Sequence, residues 1–227
     1  MTKWRAMRRL AAVLCQLDPK SPPACPDVGS RLTALPRALW PLASWHEELE
    51  ANGEFAEGLA ALEWYTDPAA ANYRELNRQL RDGGPLPRRA LALDALLQAG
   101  PPVDPPGITL WRGFASATYT QYVVGQGAEK VVDRAYMSCS LQRSVGNFYA
   151  RRHALLSEDL EDSLLLRIEV PTGASVLCAA CSNGGVPGEE EILLPRNSTL
   201  QVERIVPRST QAGIHLAEAR LAVRALP

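Results

Sequence analysis

The sequence predicts an α+β fold, because helical patterns fill its first half and strand patterns fill its second. Between residues 44 and 99, apolar side chains recur at spacings of three and four, as on one face of a helix. After residue 106, short apolar runs alternate with turn residues, which is typical of strands. With 227 residues, 46% of them hydrophobic, the chain is long enough to bury a substantial core.

The first 40 residues are predicted to be a leader, flexible or related to secretion. Its prolines interrupt any long helix, and they stand at positions 19, 22, 23, 26 and 36. Basic residues precede the apolar stretch LAAVLC, but that stretch is short for a signal peptide and lacks a small-x-small cleavage site. A short amphipathic helix or an unstructured leader is therefore favoured, and residues 41–227 are expected to form one domain.

Three helices are predicted in the helical part, residues 41–102. The first is expected to begin at Ser44, because Glu47 follows at the spacing of a capping box. The second begins at the Asp67-Pro68 pair and ends at the glycine pair 83–84. The third covers PRRALALDALLQAG and ends at Gly100.

The β-rich part, residues 103–227, contains one further helical segment, SVGNFYARRHALL, among short strands. The final segment HLAEARLAVRAL fits a strand or a helix equally well. The predicted strands are ITLWRG, part of KVVDRAYMSCS, SLLLRIEVP, ASVLCAA, EILLP and STLQVERIV.

Composition excludes several classes of function. The net charge is −1, from 24 basic and 25 acidic residues, so nucleic-acid binding has no support. No apolar run approaches the roughly 18 residues of a membrane span. The five cysteines are an odd number and do not indicate a disulfide framework. Cys178 and Cys181 are interpreted as small residues in or beside a strand, because no second ligand pair completes a zinc site. We therefore expect no metal.

Three polar signals stand at the ends of predicted strands. Arg112 follows ITLW, Ser138 and Ser140 flank a cysteine, and three glutamates at 189–191 directly precede ILLP. Each signal alone is common on protein surfaces. Their order along the chain is the informative feature.

In that order the chain resembles the mono-ADP-ribosyltransferases of the arginine–serine–glutamate class, of the bacterial toxin or effector type. The resemblance runs from about residue 55 to 206 and includes ALEWYTDPAAANYRELNRQLR, LDALLQAGPPVDPPGITLWRG, AYMSCS, LLLRIEVPTGASV and GEEEILLPRNSTLQV. It implies two roughly perpendicular antiparallel sheets with an N-terminal helical layer. NAD+, the co-substrate, would lie in the cleft between the sheets.

The resemblance implies a role for each polar signal. Glu191 would be the catalytic glutamate, which hydrogen-bonds the nicotinamide ribose, and Ser138 would orient it. Arg112 would bind the pyrophosphate, for which its planar fork is suited. A carboxylate at the ribose stabilises the positive charge that develops as the nicotinamide bond breaks.

Three further residues complete the implied cofactor site. Gly113 would let the backbone approach the nicotinamide closely, and Ser140 would support the site as a turn or strand cap. Phe148 would stack near the nicotinamide.

Glu189 resembles the first glutamate of a Glu-x-Glu motif that faces the acceptor. If the extended conformation reaches back that far, Glu189 and Glu191 share the cleft and Glu190 faces away. A glutamate at this position goes with arginine acceptors and with some hydroxyl acceptors such as threonine. The acceptor would be a host protein, with ubiquitin, actin and small GTPases among the kinds of target. The protein would be secreted from a bacterium and act in the host cytoplasm, or would otherwise be cytoplasmic.

Two departures from the family pattern leave other interpretations open. Cys139 stands where threonine is usual, and the loop CAACSNGGVPG lacks an aromatic residue that many arginine-modifying members carry. The alternatives are an NAD+ glycohydrolase, a catalytically inactive module, and a hydrolase with a serine or Cys139 as nucleophile. That hydrolase would use one of three histidines, at positions 46, 153 and 215.

Overall fold

A computed structural model describes most of the chain, and its helices precede most of its strands. The described residues are 35–53, 55–67, 72–115, 123, 127, 129–152, 163–179, 190–206 and 215–222. The helices are a 3-10 turn at Arg37–Leu39, α1 (Trp40–Asn52), α2 (Ala56–Thr66), α3 (Asn72–Asp82), α4 (Arg88–Ala99) and α5 (Arg143–Arg152). The predicted α+β class is therefore confirmed.

The first helix begins earlier than its sequence pattern predicts. Helix α1 starts at Trp40 with Pro41 in its first turn, so Ser44 lies inside the helix and the predicted capping box is wrong. Proline at the first helical positions costs nothing, since the amide it lacks has no helical partner there. Leu39, directly before the helix, is fully buried. The packed core thus begins before residue 41.

Glycines end the first and third helices. Gly53 follows α1 with a φ of 68°, in the left-handed region that favours glycine, and the chain then re-enters helix α2. Gly83 follows α3 with a φ of 77°, so the helix ends at the glycine pair, as predicted. The start of α3 is Asn72, and the predicted start at Pro68 lies outside the described residues.

The described residues of the β-rich part contain eight strands. They are β1 (Ile108–Ala115), β2 (Lys130–Asp133), β3 (Met137–Ser140), β4 (Ser163–Val170), β5 (Leu177–Cys178), β6 (Glu191–Leu194), β7 (Ser198–Val206) and β8 (His215–Ala222). The final segment, which fitted a strand or a helix, is a strand. Hydrogen bonds connect the strands in the order β2-β7-β8-β4-β1-β3-β6-β5.

The sheet consists of two groups of strands that meet at one point. Strands β1 and β3 pair at Trp111 with Ser140, whereas β1 and β4 pair over eight positions. All pairs are antiparallel except β4 with β8. Where the sequence predicted two antiparallel sheets, hydrogen bonds join the described strands into one mostly antiparallel sheet, in which the groups β2-β7-β8-β4-β1 and β3-β6-β5 meet at the β1–β3 pair. Their junction is where the polar signals of the sequence come together.

Strands β3 and β6 lie between two hydrophobic cores. One core contains Cys139 and Ile192 together with side chains from β1, β4, β7 and β8. The other contains Leu193 and Tyr136 together with side chains from helices α1–α4. Since successive residues of a strand point to opposite faces, one face of this strand pair looks toward the helical layer.

Candidate active site

Neighbouring strands bring the predicted site residues together. Arg112 lies on β1, Ser138 and Ser140 on β3, and Glu191 at the first position of β6. The three strands are adjacent in the sheet. Segments far apart in the sequence therefore contribute to one place in the fold.

The hydroxyl and carboxyl groups of β3 and β6 share one face. Ser140 pairs directly with Glu191, and Ser138 pairs with Leu193. Residues two apart on a strand point the same way, so Ser138 is the diagonal neighbour of Glu191, within reach of a long side chain. Cys139 and Ile192 point to the opposite face, into the other core.

Arg112 is tied to the serine strand. Its terminal nitrogen Nη1 donates to the carbonyl oxygen of Ser138 at 2.6 Å. Its guanidinium carbon lies 4.7 Å from the ring centre of Phe114, a cation–π distance. Within the described residues, the buried Nε has no hydrogen-bond partner. The side chain is thus held at the site with an unused donor.

The charges of Arg112 and Glu191 act on the same buried groups. Burial raises the pKa of the Cys139 thiol to about 12, while Arg112 lowers it and Glu191 raises it. Burial likewise raises the pKa of Tyr65 to about 12, again with opposing effects from Arg112 and Glu191. Both charges therefore act on buried groups on either side of the β3–β6 pair.

Gly113 allows helix α5 to lie directly on strand β1. A Cβ at Gly113 would come within 2.2 Å of the Gly146 carbonyl oxygen and of the Ala150 amide nitrogen. These are backbone atoms of α5, which cannot turn aside. The structure thus gives this glycine a packing role that the sequence did not predict.

Helix α5 presents an exposed aromatic residue. Phe148 is 43% exposed, and its ring meets that of Tyr149 edge-on at 5.4 Å between centres. Because α5 packs against β1, Phe148 belongs to the layer next to the strand that carries Arg112. An exposed ring in this position is available for stacking on a planar group.

The glutamate triplet is not extended throughout. Glu190 has a φ of 43°, in the left-handed region, and strand β6 begins only at Glu191. The Glu190 carboxylate accepts a hydrogen bond from Gln142 Nε2 at 3.0 Å, and its carbonyl oxygen accepts from the Leu141 amide. The extended conformation therefore does not reach back over Glu190, and the condition on which Glu189 and Glu191 would share the cleft is not met there. Glu189 lies outside the described residues.

A polar network lies beneath the site and was not predicted from the sequence. The hydroxyl of Tyr65 accepts a hydrogen bond from Asn77 Nδ2 at 2.9 Å, and Ser138 lowers the pKa of this buried phenol. Asn77 lies on the buried face of α3 between Leu76 and Leu80. A polar residue among the apolar positions of an amphipathic helix was the available signal, since a buried amide needs a partner.

A second network joins the helical layer to strands β3 and β6. The Asp94 carboxylate on α4 accepts from the Tyr136 hydroxyl at 2.7 Å and from Arg196 Nε at 2.7 Å. Tyr136 directly precedes β3, and Arg196 follows β6 after one proline. One carboxylate therefore holds the start of β3 and the end of β6.

The described residues do not support Cys139 as a nucleophile. Cys139 is buried, and its raised pKa keeps the thiol protonated near neutral pH. His46 is also buried, and neither ring nitrogen has a hydrogen-bond partner among the described residues. His153 and the side chain of His215 lie outside the described residues.

Two features of other protein classes are absent from the described residues. No helix there is long and apolar enough to cross a membrane. No group of three or more histidine, cysteine or acidic side chains that could hold a metal ion is found in that part of the chain. Cys178 is disulfide-bonded, which the sequence did not predict, and its partner is not among the described residues.

Three solved structures illustrate what the fold is similar to. The toxin Plx2a of Paenibacillus larvae has a TM-score of 0.58 and 18% identity, covering 86% of this chain and 96% of its own. The C3 exoenzyme of Clostridium limosum has a TM-score of 0.54 and 19% identity, covering 79% and 92%. C3stau2 of S. aureus, solved with NAD, has a TM-score of 0.55 and 17% identity, covering 80% and 94%. At these identities the similarity shows the fold.

Family membership follows from the sequence itself. No curated protein matches this chain in a sequence search. The sequence model of the ADP-ribosyltransferase exoenzymes matches residues 43–222, which is more than half of the chain and includes every described residue of the site. The chain therefore belongs to the ADP-ribosyltransferase exoenzyme family, as an NAD+–protein mono-ADP-ribosyltransferase of the arginine–serine–glutamate class.

Proposed function

We propose that Glu191 splits NAD+ at its nicotinamide–ribose bond and that the chain transfers the ADP-ribose to an arginine or hydroxyl side chain of a host protein. The observation that carries this proposal is the shared face of β3 and β6, where Ser140 lies directly opposite Glu191 and Ser138 lies diagonally. A carboxylate held among hydroxyl groups beside a guanidinium suits a reaction that builds positive charge on a ribose.

The chemistry requires a different partner for each part of NAD+. As the bond between the ribose carbon and the nicotinamide nitrogen breaks, its electron pair leaves with nicotinamide, and the ribose becomes positively charged. Glu191 stabilises that charge and accepts a hydrogen bond from the ribose 2′-hydroxyl. The acceptor oxygen or nitrogen then bonds to the ribose carbon, and its proton goes to a base, for which we propose Glu189.

Two features of the site suit a dinucleotide. Arg112 reaches Ser138 through one nitrogen, and its planar fork carries further donors that can meet a pyrophosphate. Phe148 offers an exposed ring on the neighbouring helix. We assign the phosphates to Arg112 and the nicotinamide side of the cleft to Phe148.

The proposed division of labour between the glutamates is tested with three matched variants. We expect Glu191→Gln to lower both NAD+ cleavage and transfer by about 10²-fold or more, because it removes a group that acts in the transition state. Glu189→Gln should retain NAD+ cleavage and lose transfer. Glu190→Gln removes a charge from the same triplet and should retain both, since its partner Gln142 can still be met by an amide oxygen.

The measurements are nicotinamide release without acceptor and labelling of protein acceptors from labelled NAD+. Equal losses in the Glu189 and Glu191 variants would overturn the division of labour. A wild-type chain that releases no nicotinamide would overturn the proposal itself.

The acceptor protein is proposed to lie in a host cytoplasm, to which a bacterium delivers the chain. Intact-mass spectrometry of host lysate incubated with the chain and labelled NAD+ identifies the target, and peptide sequencing identifies the modified side chain. Modification of an arginine or hydroxyl residue supports the proposal. Modification of cysteine or asparagine alone contradicts it.

A further inference from the structure

Gln142 connects strand β3 to helix α5, and both of its backbone polar groups are hydrogen-bonded. Its amide nitrogen donates to the Ser140 hydroxyl at 2.9 Å, and its carbonyl oxygen accepts from the Gly146 amide at 3.3 Å. Since α5 begins at Arg143, Gln142 occupies the N-cap position of that helix. Its side chain therefore extends from a backbone that is held on both sides.

The side chain of Gln142 reaches Glu190, the residue before Glu191. Its Nε2 donates to Glu190 Oε1 at 3.0 Å, and its Oε1 accepts from the Ser144 hydroxyl at 3.3 Å. An ionised carboxylate only accepts hydrogen bonds, so the nitrogen of the amide must be the atom that faces Glu190. The hydrogen bond therefore runs from the glutamine to the glutamate.

Glu190 has a backbone conformation that glutamate does not favour. Its φ of 43° lies in the left-handed region, where the Cβ crowds a carbonyl oxygen. A residue keeps such a conformation only where its surroundings hold it there. Two hydrogen bonds hold Glu190, the one from Gln142 to its carboxylate and one from the Leu141 amide to its carbonyl oxygen at 3.2 Å.

The two neighbours of Glu190 in the sequence depend on it differently. Glu191 is the first residue of β6 and pairs with Ser140, so the strand pairing holds the chain on that side. The direction of the chain on the other side follows from the torsions of Glu190, because β6 does not extend beyond Glu191. Glu189 is the next residue on that side.

We infer that Gln142 and Glu190 are positioning residues that direct the approach of Glu189 and so set how much ADP-ribose goes to a protein acceptor instead of water. The inference rests on the proposed function, in which Glu189 is the base for the acceptor. Without the hydrogen bond, Glu190 is free to leave the left-handed region, while Glu191 stays paired with Ser140. A water oxygen then bonds to the ribose carbon in place of the acceptor, and its proton goes to solvent.

The test compares Gln142→Ala with Gln79→Ala. Both variants remove a glutamine that donates to a glutamate, since Gln79 Nε2 donates to Glu75 Oε1 at 2.8 Å on an exposed part of α3. Gln142→Ala should lower the labelling of host-lysate proteins from labelled NAD+ about tenfold, on the scale of one hydrogen bond. Nicotinamide release and the KM for NAD+ should stay within about twofold of the wild type. Gln79→Ala should change none of the three.

Exchanging the two side chains separates this role from a loss of stability. Gln142→Glu places a second carboxylate against Glu190 and should lower labelling at least as far as Gln142→Ala, because like charges repel. Adding Glu190→Gln to that variant restores an amide opposite a carboxylate, with the donor now at position 190. The Ser144 hydroxyl can still donate to a carboxylate at position 142. The double variant should therefore recover the labelling that Gln142→Glu loses.

A double-mutant cycle tests whether the two residues act as one unit. Glu190→Ala removes the acceptor of the same hydrogen bond and should lower labelling like Gln142→Ala. In the Glu190→Ala background, Gln142→Ala should cause no further loss of labelling. Thermal unfolding of each variant, followed by circular dichroism, shows that the proteins compared are folded at the assay temperature.

Three results would overturn the inference. They are labelling by Gln142→Ala at the wild-type level, equal losses of labelling and nicotinamide release in that variant, and no recovery in the double variant with exchanged side chains. Each is measured against a wild-type chain that cleaves NAD+ and labels protein, so the proposed function would still stand. A wild-type chain that releases no nicotinamide or labels no protein overturns the proposed function and the inference together.

Discussion

His46 is a polar residue in an apolar environment. It is 1% exposed on helix α1, and its ring meets that of Trp45 edge-on at 5.7 Å between centres. Neither ring nitrogen has a hydrogen-bond partner among the described residues. Burial lowers the pKa of His46 below 6.5, because the charged ring is less well solvated inside the protein.

We expect this histidine to make the fold sensitive to acid. Above pH 6.5 the ring is neutral in both the folded and the unfolded chain, so the pKa difference has no effect on stability. As the pH falls below 6.5, the unfolded chain binds a proton that the folded chain resists, and the free energy of unfolding decreases. His46→Leu should raise the free energy of unfolding by roughly 1–3 kcal/mol at pH 7, since it removes unsatisfied buried polar atoms.

Urea unfolding at pH 7.5 and pH 5 measures both effects. The difference between the two pH values should be smaller in His46→Leu than in the wild type. Glu47→Gln, at an exposed position of the same helix, is the control and should leave that difference unchanged. An unchanged pH difference in His46→Leu would show that other groups cause the acid sensitivity.

Sequence patterns predict catalytic residues better than they predict the residues that support them. Arg112, Ser138 and Glu191 stand at strand ends in a recognisable order, and the structure brings them together. Tyr65 carries no such mark, because an aromatic residue on a helix is usually part of a core. Its effect on the site depends on how helix α2 packs on the strands, which no local sequence pattern shows.

At the scale of elements, the closest packing is between helix α5 and strand β1. Gly113 lies against the backbone of α5, and Gly146 of α5 lies against Trp111 of β1. One glycine lies on the strand and the other on the helix, and each faces the other element. The helix and the strand can therefore approach without intervening side chains. The helix was predictable from SVGNFYARRHALL, but this approach was not, because the family resemblance assigned the close approach at Gly113 to the nicotinamide.

We expect Gly113→Ala to disturb this contact strongly. The added Cβ would lie 2.2 Å from two backbone atoms of α5, so the whole helix must shift, and Phe148 with it. Overpacking lowers the free energy of unfolding by about 1–3 kcal/mol even where side chains can move. Because the obstacle here is backbone, we expect a loss of about 3 kcal/mol or more. Thermal unfolding followed by circular dichroism measures it.

Gly84→Ala is the matched control for this substitution. A Cβ at Gly84 meets no atom within 4 Å, so the change should leave the melting temperature nearly unaltered. Similar melting temperatures for Gly113→Ala and the wild type would show that α5 can move away from β1 without cost.

At the scale of the whole molecule, the helical layer and the strands depend on each other. The order of helices before strands predicts the α+β class, because each part must bury its apolar face against the other. The order of the eight strands was not predictable, since pairing such as β1 with β4 joins segments that are distant in the sequence. The meeting of the two strand groups at one pair follows from that order.

Asp94 is the residue on which this mutual support can be tested. It lies on helix α4 with its side chain 16% exposed, and it holds Tyr136 before β3 and Arg196 after β6. Asp94→Asn keeps the shape but removes the charge and presents an N–H group to one of two donors. Hydrogen bonds to charged groups contribute roughly 1.5–3 kcal/mol, so we expect the free energy of unfolding to fall by about 2–3 kcal/mol.

Urea unfolding followed by tryptophan fluorescence measures this loss, with nicotinamide release measured on the same samples. Because Asp94 contacts neither Ser138 nor Glu191 in the hydrogen-bond networks described, the folded Asp94→Asn protein should cleave NAD+ at the wild-type rate at 20 °C. Glu75→Gln, which removes an exposed carboxylate paired with Arg78, is the control and should change neither quantity. In an Arg196→Gln background, Asp94→Asn should cost less than it does alone, since one of its two partners is already gone. Losses that simply add would mean that Asp94 and Arg196 stabilise the layer and the strands separately.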